Sequence, residues 1–226
     1  MAMTGLIIAA LPCTAQLQPA RTIILIGPPG SGKTVQAEYL RKRFKIPAIS
    51  MAQLLQQEID RRSPTSHALA ASVSSGELLG DESANDLMKA RLLRPDAGRG
   101  FILDGYPATE GQAKALDTWI LEHNLPKPVV IALDIPEEVS RIRMLRRRRA
   151  DDTSENIERR LRDYKEVGRV VEQWYGTQRT TRVDGTGIAT EVAKRVAEAV
   201  ENIREPIKLK SRTPGNEGLK QRDPAP

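Results

Sequence analysis

A glycine-rich octapeptide is the part of this sequence whose residue types and spacing most clearly predict chemistry. Residues 27–34 read Gly-Pro-Pro-Gly-Ser-Gly-Lys-Thr, which fits the pattern G-x-x-x-x-G-K-[ST] of a phosphate-binding loop. The glycines of such a loop let backbone N–H groups turn toward phosphate oxygens, and its lysine contacts the β- and γ-phosphates. The residues predicted to hold a nucleoside triphosphate are Gly27, Gly30, Ser31, Gly32, Lys33, Thr34 and Val35. An ordinary Gly-Pro turn is the alternative.

The segments around the octapeptide are those that a phosphate-binding loop needs. The apolar run Thr22–Ile26 predicts a strand before it, and Lys33–Arg43 predicts a helix after it, whose N-terminal end favours phosphate. A second apolar run, Phe101–Leu103, ends in Asp104, which a parallel sheet would bring to the same edge as the loop. Asp104 is therefore predicted to be catalytic and, with Thr34, to bind Mg²⁺. The alternative is an aspartate that only starts a turn before the following glycine.

Arginines are concentrated in one short segment. The nine residues 141–149 contain Arg141, Arg143, Arg146, Arg147, Arg148 and Arg149. Arginine forks match the several oxygens that carry charge during phosphoryl transfer. A solvated helix face is nevertheless the expectation for most of them, and no aromatic residues interleave to indicate a nucleic-acid surface.

Short apolar runs alternate with longer amphipathic segments between about residues 21 and 204. The predicted strands are Thr22–Ile26, Ala48–Ile49, Phe101–Leu103, Val129–Leu133 and Thr181–Val183. The predicted helices are Lys33–Arg43, Met51–Arg61, Asp81–Leu93, Glu110–Glu122, Glu137–Arg147, Ser154–Tyr175 and Ala189–Ile203. This order predicts an α/β fold with a mainly parallel sheet and helices on both faces.

Length and composition indicate one domain with loose ends. The 226 residues are 39% hydrophobic and only 4% aromatic, so aliphatic side chains are expected to form the core. The single cysteine excludes an internal disulfide and a multi-cysteine zinc site, and no apolar run approaches the roughly 20 residues of a membrane span. Residues 1–20 are expected to be a loose extension, with a short signal peptide as the alternative, and residues 205–226 a disordered basic tail.

The formal net charge of +6 suits a protein that handles polyanionic small molecules and does not require nucleic acid. Because ATP chemistry belongs inside the cell, a cytoplasmic protein is expected. The protein is also expected to be a monomer and to have no membrane partner.

Several blocks of the sequence, taken together, resemble the adenylate kinases and their nucleoside-monophosphate kinase relatives. The blocks are Gly27–Gln36, Ile49-Ser50, Ser75–Glu82, Gly100–Pro107 with Gln112, Arg149–Asp152, Arg160-Leu161 with Tyr164, and Val183–Thr186. The resemblance extends from about residue 22 to about residue 200. It implies a P-loop NTPase-type, five-stranded parallel sheet with two mobile parts. These are an acceptor-binding segment at about residues 50–79 and a lid at about residues 146–152, as short as in the family's short-lid members.

The resemblance also implies roles for individual residues. Lys33, Asp104, Arg149 and Arg160 would be catalytic, and the two arginines would reach the phosphoryl group that is transferred. The Asp151-Asp152 pair would support the lid hinge. The residues that would bind the acceptor are Ser50, Met51, Gln56, Leu78, Leu79, Gly105, Tyr106, Ala108 and Gln112, of which Gln112 would read its base.

Three positions depart from the family pattern. Ala108 stands where the family usually has an arginine after Asp-Gly-(Phe/Tyr)-Pro, and Gln56 stands where its acceptor helix usually has a second arginine. Thr34 directly follows the lysine, where adenylate kinases usually have glycine and then threonine. The first two departures remove positive charge from the phosphate of the acceptor, for which Arg61, Arg62, Arg91 or Arg94 are candidate replacements.

The resulting prediction is an enzyme that moves the γ-phosphoryl group of Mg·ATP to a nucleoside monophosphate, most simply AMP, giving two ADP. A related kinase with a different acceptor is the first alternative, because both departures fall on the acceptor side. A nucleotide-binding regulatory module with little turnover is the second.

Overall fold

A parallel sheet lies at the centre of the part of the chain that the computed structural model describes, which comprises residues 21–61, 79–147 and 152–203. Its strands are β1 (Arg21–Ile26), β2 (Ala48–Ser50), β3 (Gly100–Asp104), β4 (Val129–Asp134) and β5 (Thr180–Asp184). The helices in these ranges are α1 (Lys33–Phe44), α2 (Met51–Asp60), α3 (Asp81–Leu92), α4 (Glu110–Glu122), α5 (Glu137–Arg147), α6 (Ser154–Tyr175) and α7 (Ala189–Asn202). A 3₁₀ turn at Pro95–Ala97 precedes β3.

The strand order is β2-β3-β1-β4-β5, and all four neighbouring pairs are parallel. In this register Asp104, the last residue of β3, lies beside Leu25 of β1 on one side and beside Ser50 of β2 on the other. Parallel strands direct their carboxyl ends to one edge of the sheet. The loops that follow β1, β2 and β3 therefore meet at a single edge.

The sheet is buried on both faces, which is why its central strands read as continuous apolar runs. Successive residues of β1 point to opposite sides. Ile24 and Ile26 pack with side chains of α3, α4 and α6 on one face, whereas Ile23 and Leu25 pack with α1 and α7 on the other. Both layers hold the carboxyl edge of the sheet in place.

The predicted fold is confirmed: the sheet has five parallel strands with helices on both faces. Every predicted strand and helix boundary falls within one residue of the observed one. The 3₁₀ turn was not predicted, because three residues are too few to show a periodic pattern. Within the described ranges, no helix combines the length and apolar character needed to cross a bilayer.

Several predicted segments lie outside the described residues. They are the extension 1–20, the tail 205–226, residues 62–78 of the acceptor-binding segment and residues 148–151 of the lid. The predicted division into these segments stays a prediction.

Candidate active site

The glycine-rich octapeptide forms a tight loop between β1 and α1. Gly27 has a φ of 146°, and a Cβ at this position would lie 2.6 Å from the carbonyl oxygen of Leu133 on β4. Gly32 has a φ of 93° and is the N-cap residue of α1. Both φ values favour glycine, and the first position also has no space for a side chain. The loop thus presents backbone at the start of a helix, where N–H groups lack partners and anions bind.

Lys33 begins α1, and its side chain turns back over the loop. Its ammonium donates hydrogen bonds to the carbonyl oxygens of Gly27 at 2.7 Å and Pro28 at 3.0 Å. Burial lowers the pKa of Lys33, and the nearby carboxylate of Asp104 opposes that shift. The charge is therefore desolvated and close to the loop, which strengthens its attraction for an anion.

The residues predicted to bind Mg²⁺ lie next to each other. Thr34 Oγ1 donates a hydrogen bond of 2.6 Å to Asp104 Oδ2, although 70 residues separate them in the chain. Asp104 is 6% exposed at the end of β3. A hydroxyl and a carboxylate are hard oxygen donors, and Mg²⁺ at nucleotide sites usually takes one or two such ligands together with substrate phosphates. The pair fits that ion.

A cavity of about 490 Å³ opens in front of the loop. Its lining includes Pro29, Gly30, Gly32, Lys33, Thr34 and Val35 from the loop and α1. The lining also includes Ser50, Met51, Ala52 and Leu55 of β2 and α2, together with Asp104 and Gly105. The glycine-rich loop and a largely apolar segment thus line one space.

Two arginines complete the lining of this cavity, and both were missed from the sequence. Arg143 and Arg147 lie on α5 four residues apart, so they share a face of that helix. Arg143 also donates hydrogen bonds to the carbonyl oxygens of Gly185 at 3.0 Å and Gly187 at 3.3 Å. The expectation of a solvated helix face for most of the cluster did not single out these two residues, of which Arg147 is exposed and still lines the cavity. The i, i+4 spacing of Arg143 and Arg147 was the available sequence signal, but the neighbouring arginines of the same segment concealed it.

A buried carboxylate links the ends of α5 and α6. The side chain of Asp152 is 1% exposed. It accepts two hydrogen bonds from Arg147, at 2.5 and 2.7 Å, and one from Arg160 at 3.2 Å. Asp152 therefore brings Arg160, predicted to be catalytic, beside an arginine that lines the cavity. Arg149 and Asp151 lie outside the described residues.

Three of the nine predicted acceptor residues line the cavity, and two others are buried. Ser50, Met51 and Gly105 line the cavity. Tyr106 and Gln112 are buried, each 3% exposed, and are not among the lining residues. The Tyr106 hydroxyl donates a 2.7 Å hydrogen bond to Asn85.

Three other predicted acceptor residues are not among those that line the cavity. Gln56 donates to Asp60 Oδ1 at 2.9 Å on the exposed side of α2. Ala108 is partly buried, and its N–H donates to the side chain of Gln112. Leu79 packs against the hydrophobic core, and Leu78 lies outside the described residues.

Three of the four arginines considered as replacements lie elsewhere, and the fourth, Arg62, lies outside the described residues. Arg61, Arg91 and Arg94 line a separate small cleft of about 50 Å³ between α2 and α3. Arg91 makes a two-fold contact with Asp96 at 2.7 and 2.9 Å, and Arg61 donates to Glu58 at 2.7 Å. The lining of the larger cavity thus does not include these three residues.

Together, the parallel sheet, the loop after its central strand and the Thr34–Asp104 pair define a P-loop nucleotide-binding protein. A sequence profile of the family described as adenylate kinase matches residues 25–180. The chain therefore belongs to the adenylate kinase family.

Curated relatives agree with that assignment. The adenylate kinase of Micrococcus luteus is 35% identical over 187 residues, which cover 80% of this chain and 91% of that protein. The adenylate kinase of Xanthomonas campestris pv. campestris is 37% identical over 183 residues, covering 79% of this chain and 98% of that protein. The adenylate kinase of Nocardia farcinica is 35% identical over 178 residues, with the same two coverages.

Proposed function

We propose that this protein transfers the γ-phosphoryl group of ATP to AMP and forms two molecules of ADP. The observation that carries the proposal is one cavity that is lined both by the phosphate-binding loop and by β2, α2 and Gly105. Donor and acceptor can occupy such a cavity at the same time, which converts a bimolecular reaction into one between positioned groups. Membership of the adenylate kinase family supports the same reaction.

On the donor side, the loop amides and Lys33 would bind the triphosphate. Lys33 is desolvated where it lies, so its ammonium gains more from phosphate than an exposed lysine would. Thr34 and Asp104 would hold Mg²⁺, which supplies charge neutralisation on the phosphates. The protein's own contribution is to hold the phosphate chain in one orientation at the N-terminus of α1.

Between donor and acceptor, arginines would stabilise the charge on the phosphoryl group in flight. Arg143 and Arg147 line the cavity, and Asp152 holds Arg147 and Arg160 together. The family resemblance assigns Arg149 to the same task. Phosphoryl transfer needs little covalent chemistry from the protein, so positioning and electrostatic stabilisation would supply the rate.

On the acceptor side, Met51, Leu55 and Gly105 would border the nucleoside, and Gln112 would read its base. The apolar lining is suited to a planar base, which gains from burial more than from charge.

A direct assay of the full-length protein tests the proposal. With Mg·ATP and AMP, ³¹P NMR is expected to show two ADP formed for each AMP consumed. Lys33→Ala is expected to lower kcat by about a thousandfold or more, because a desolvated charge at the phosphates is lost. Lys42→Ala removes an exposed lysine of the same helix and is the matched control. Near-normal turnover by Lys33→Ala would contradict the proposed mechanism.

A further inference from the structure

We propose that Asp81, packed against Gly111, is a positioning residue that fixes the orientation of the Gln112 amide and so determines which base the acceptor site prefers. The inference rests on the proposed function, in which Gln112 reads the acceptor base. Asp81 is the first residue of α3 and follows directly on the acceptor-binding segment. None of the roles that the family resemblance implies falls on Asp81 or Gly111.

The observation is a closed ring of hydrogen bonds around the Gln112 side chain. Its Oε1 accepts from the N–H of Ala108 at 2.7 Å, and its Nε2 donates to Asp81 Oδ1 at 3.0 Å. The hydroxyl of Thr109 donates to the same Asp81 oxygen at 2.7 Å. The ring closes because Thr109 Oγ1 caps α4 by accepting from the N–H of Gln112 at 3.1 Å.

The partners determine which end of the amide is oxygen and which is nitrogen. The two ends of a glutamine amide are otherwise hard to tell apart. A backbone N–H can only donate, so the atom facing Ala108 is the oxygen. An ionised carboxylate can only accept, so the atom facing Asp81 is the nitrogen. Rotating the amide by 180° would place two donors together at one end and two acceptors at the other, and both bonds would be lost.

A fixed amide discriminates between bases whose edges carry opposite patterns. After its two bonds, Gln112 retains one N–H and one oxygen lone pair in set positions. Adenine presents an acceptor at N1 and a donor at N6, whereas hypoxanthine presents a donor at N1 and an acceptor at O6. A free amide can rotate to match either base. An amide held by Asp81 and Ala108 offers its donor and its acceptor in one order only. It therefore matches the edge of one base, adenine or hypoxanthine, and not the other.

The close approach of Asp81 depends on the missing side chain of Gly111. A Cβ on Gly111 would fall well inside contact distance of Asp81 Oδ2. The carboxylate is short and its other oxygen holds two hydrogen bonds, so it cannot move aside without opening the ring. Gly111 lies in the first turn of α4 without a positive φ, so alanine is compatible with the helix there.

Gly111→Ala in the full-length protein is therefore a steric test of Asp81. We expect the AMP:IMP ratio of kcat/KM to fall about tenfold, mainly through a higher KM for AMP, while the KM for ATP stays unchanged. Asp81→Ala is expected to give the same loss of preference. Asp81→Asn keeps an oxygen that can accept from the Thr109 hydroxyl and from Gln112 Nε2. This variant is expected to retain most of the preference for AMP. Gly80→Ala, where an added Cβ meets no atom within 4 Å, is the control.

The outcomes separate this inference from the proposed function. If the unmodified protein forms no ADP from ATP and AMP, the proposed function is wrong and this inference with it. If the unmodified protein is active and both Gly111→Ala and Asp81→Ala keep the wild-type AMP:IMP ratio, the positioning role alone is wrong. A general loss of activity with an unchanged AMP:IMP ratio also contradicts the positioning role, because a purely structural defect would lower kcat/KM for AMP and for IMP equally.

Discussion

At the scale of single residues, the two parts of the cavity lining that would bind donor and acceptor differ in charge. Lys33, Arg143 and Arg147 supply three cations where the triphosphate would lie. The facing wall of β2, α2 and Gly105 has no basic residue among those that line the cavity in the described ranges. Gln56 turns to Asp60 instead. Binding of AMP would therefore depend more on its base and sugar than on two arginines at its phosphate.

Restoring the missing charge is expected to strengthen AMP binding. The double variant Gln56→Arg, Ala108→Arg should lower the KM for AMP at least about tenfold, since a charge-assisted hydrogen bond contributes about 1.5–3 kcal/mol. Steady-state kinetics with saturating ATP measures this. Gln57→Arg adds the same charge one residue away, in the separate cleft between α2 and α3, and is the control. An unchanged KM for AMP would indicate that the pocket is arranged for another acceptor.

At the scale of elements, α5 and α6 are joined by a group of ion pairs. Arg141 on α5 contacts Glu137 and Glu138 on its own helix and makes a two-fold contact with Glu158 on α6. Lys165 of α6 reaches back to Glu137 at 2.6 Å. Because α5 carries Arg147 and α6 carries Arg160, these pairs orient the two helices whose arginines would act in the proposed reaction.

The ion pairs predict a dependence of stability on pH. Arg141 lowers the pKa of Glu158, and Lys165 together with Arg141 lowers that of Glu137. A carboxylate whose pKa is lowered by folding stabilises the native state above its unfolded pKa, and this stabilisation is lost as the pH falls through the folded pKa. Arg141→Ala should therefore lower the melting temperature more at about pH 7 than at about pH 3.

Thermal unfolding followed by circular dichroism across that range measures the effect. Arg43→Ala removes an exposed arginine that pairs with the single carboxylate of Glu201 and is the control. A variant whose melting temperature falls by the same amount at both pH values would contradict the assignment. The pairs are solvent-exposed, so high salt should weaken the effect.

At the scale of the whole molecule, the strand order decides where the chemistry occurs. The phosphate-binding loop follows the central strand β1, and β3 beside it delivers Asp104. The second wall comes from β2 on the far side of β3, and α5, which follows β4, brings its arginines from the opposite direction. Groups from four segments of the chain therefore converge on one edge of the sheet, as expected for an open parallel sheet.

This convergence predicts that Mg²⁺ and ATP stabilise the fold jointly. Ligand at about 100 times its Kd stabilises a native state by about 2.7 kcal/mol. ATP with Mg²⁺ is expected to raise the melting temperature more than ATP with EDTA. Asp104→Asn should abolish the difference between the two conditions and leave the shift by ATP alone largely intact. Differential scanning calorimetry measures both.

Asp134→Asn alters the exposed aspartate at the end of the neighbouring strand β4 and is the control. A magnesium-dependent shift that survives in Asp104→Asn would remove Asp104 from the metal site.

The sequence by itself determined the loop, the fold and nearly every element boundary of this protein. Those features depend on local patterns: glycines where the backbone must turn, apolar runs for strands buried on both faces, and amphipathic periods for helices. Only the tertiary structure decided which arginines reach the cavity, since that depends on the rotation of α5 against the sheet. It also decided that Asp81 holds Gln112 across 31 residues of chain. Such contacts arise from the packing of separate helices, and no pattern within either helix encodes them.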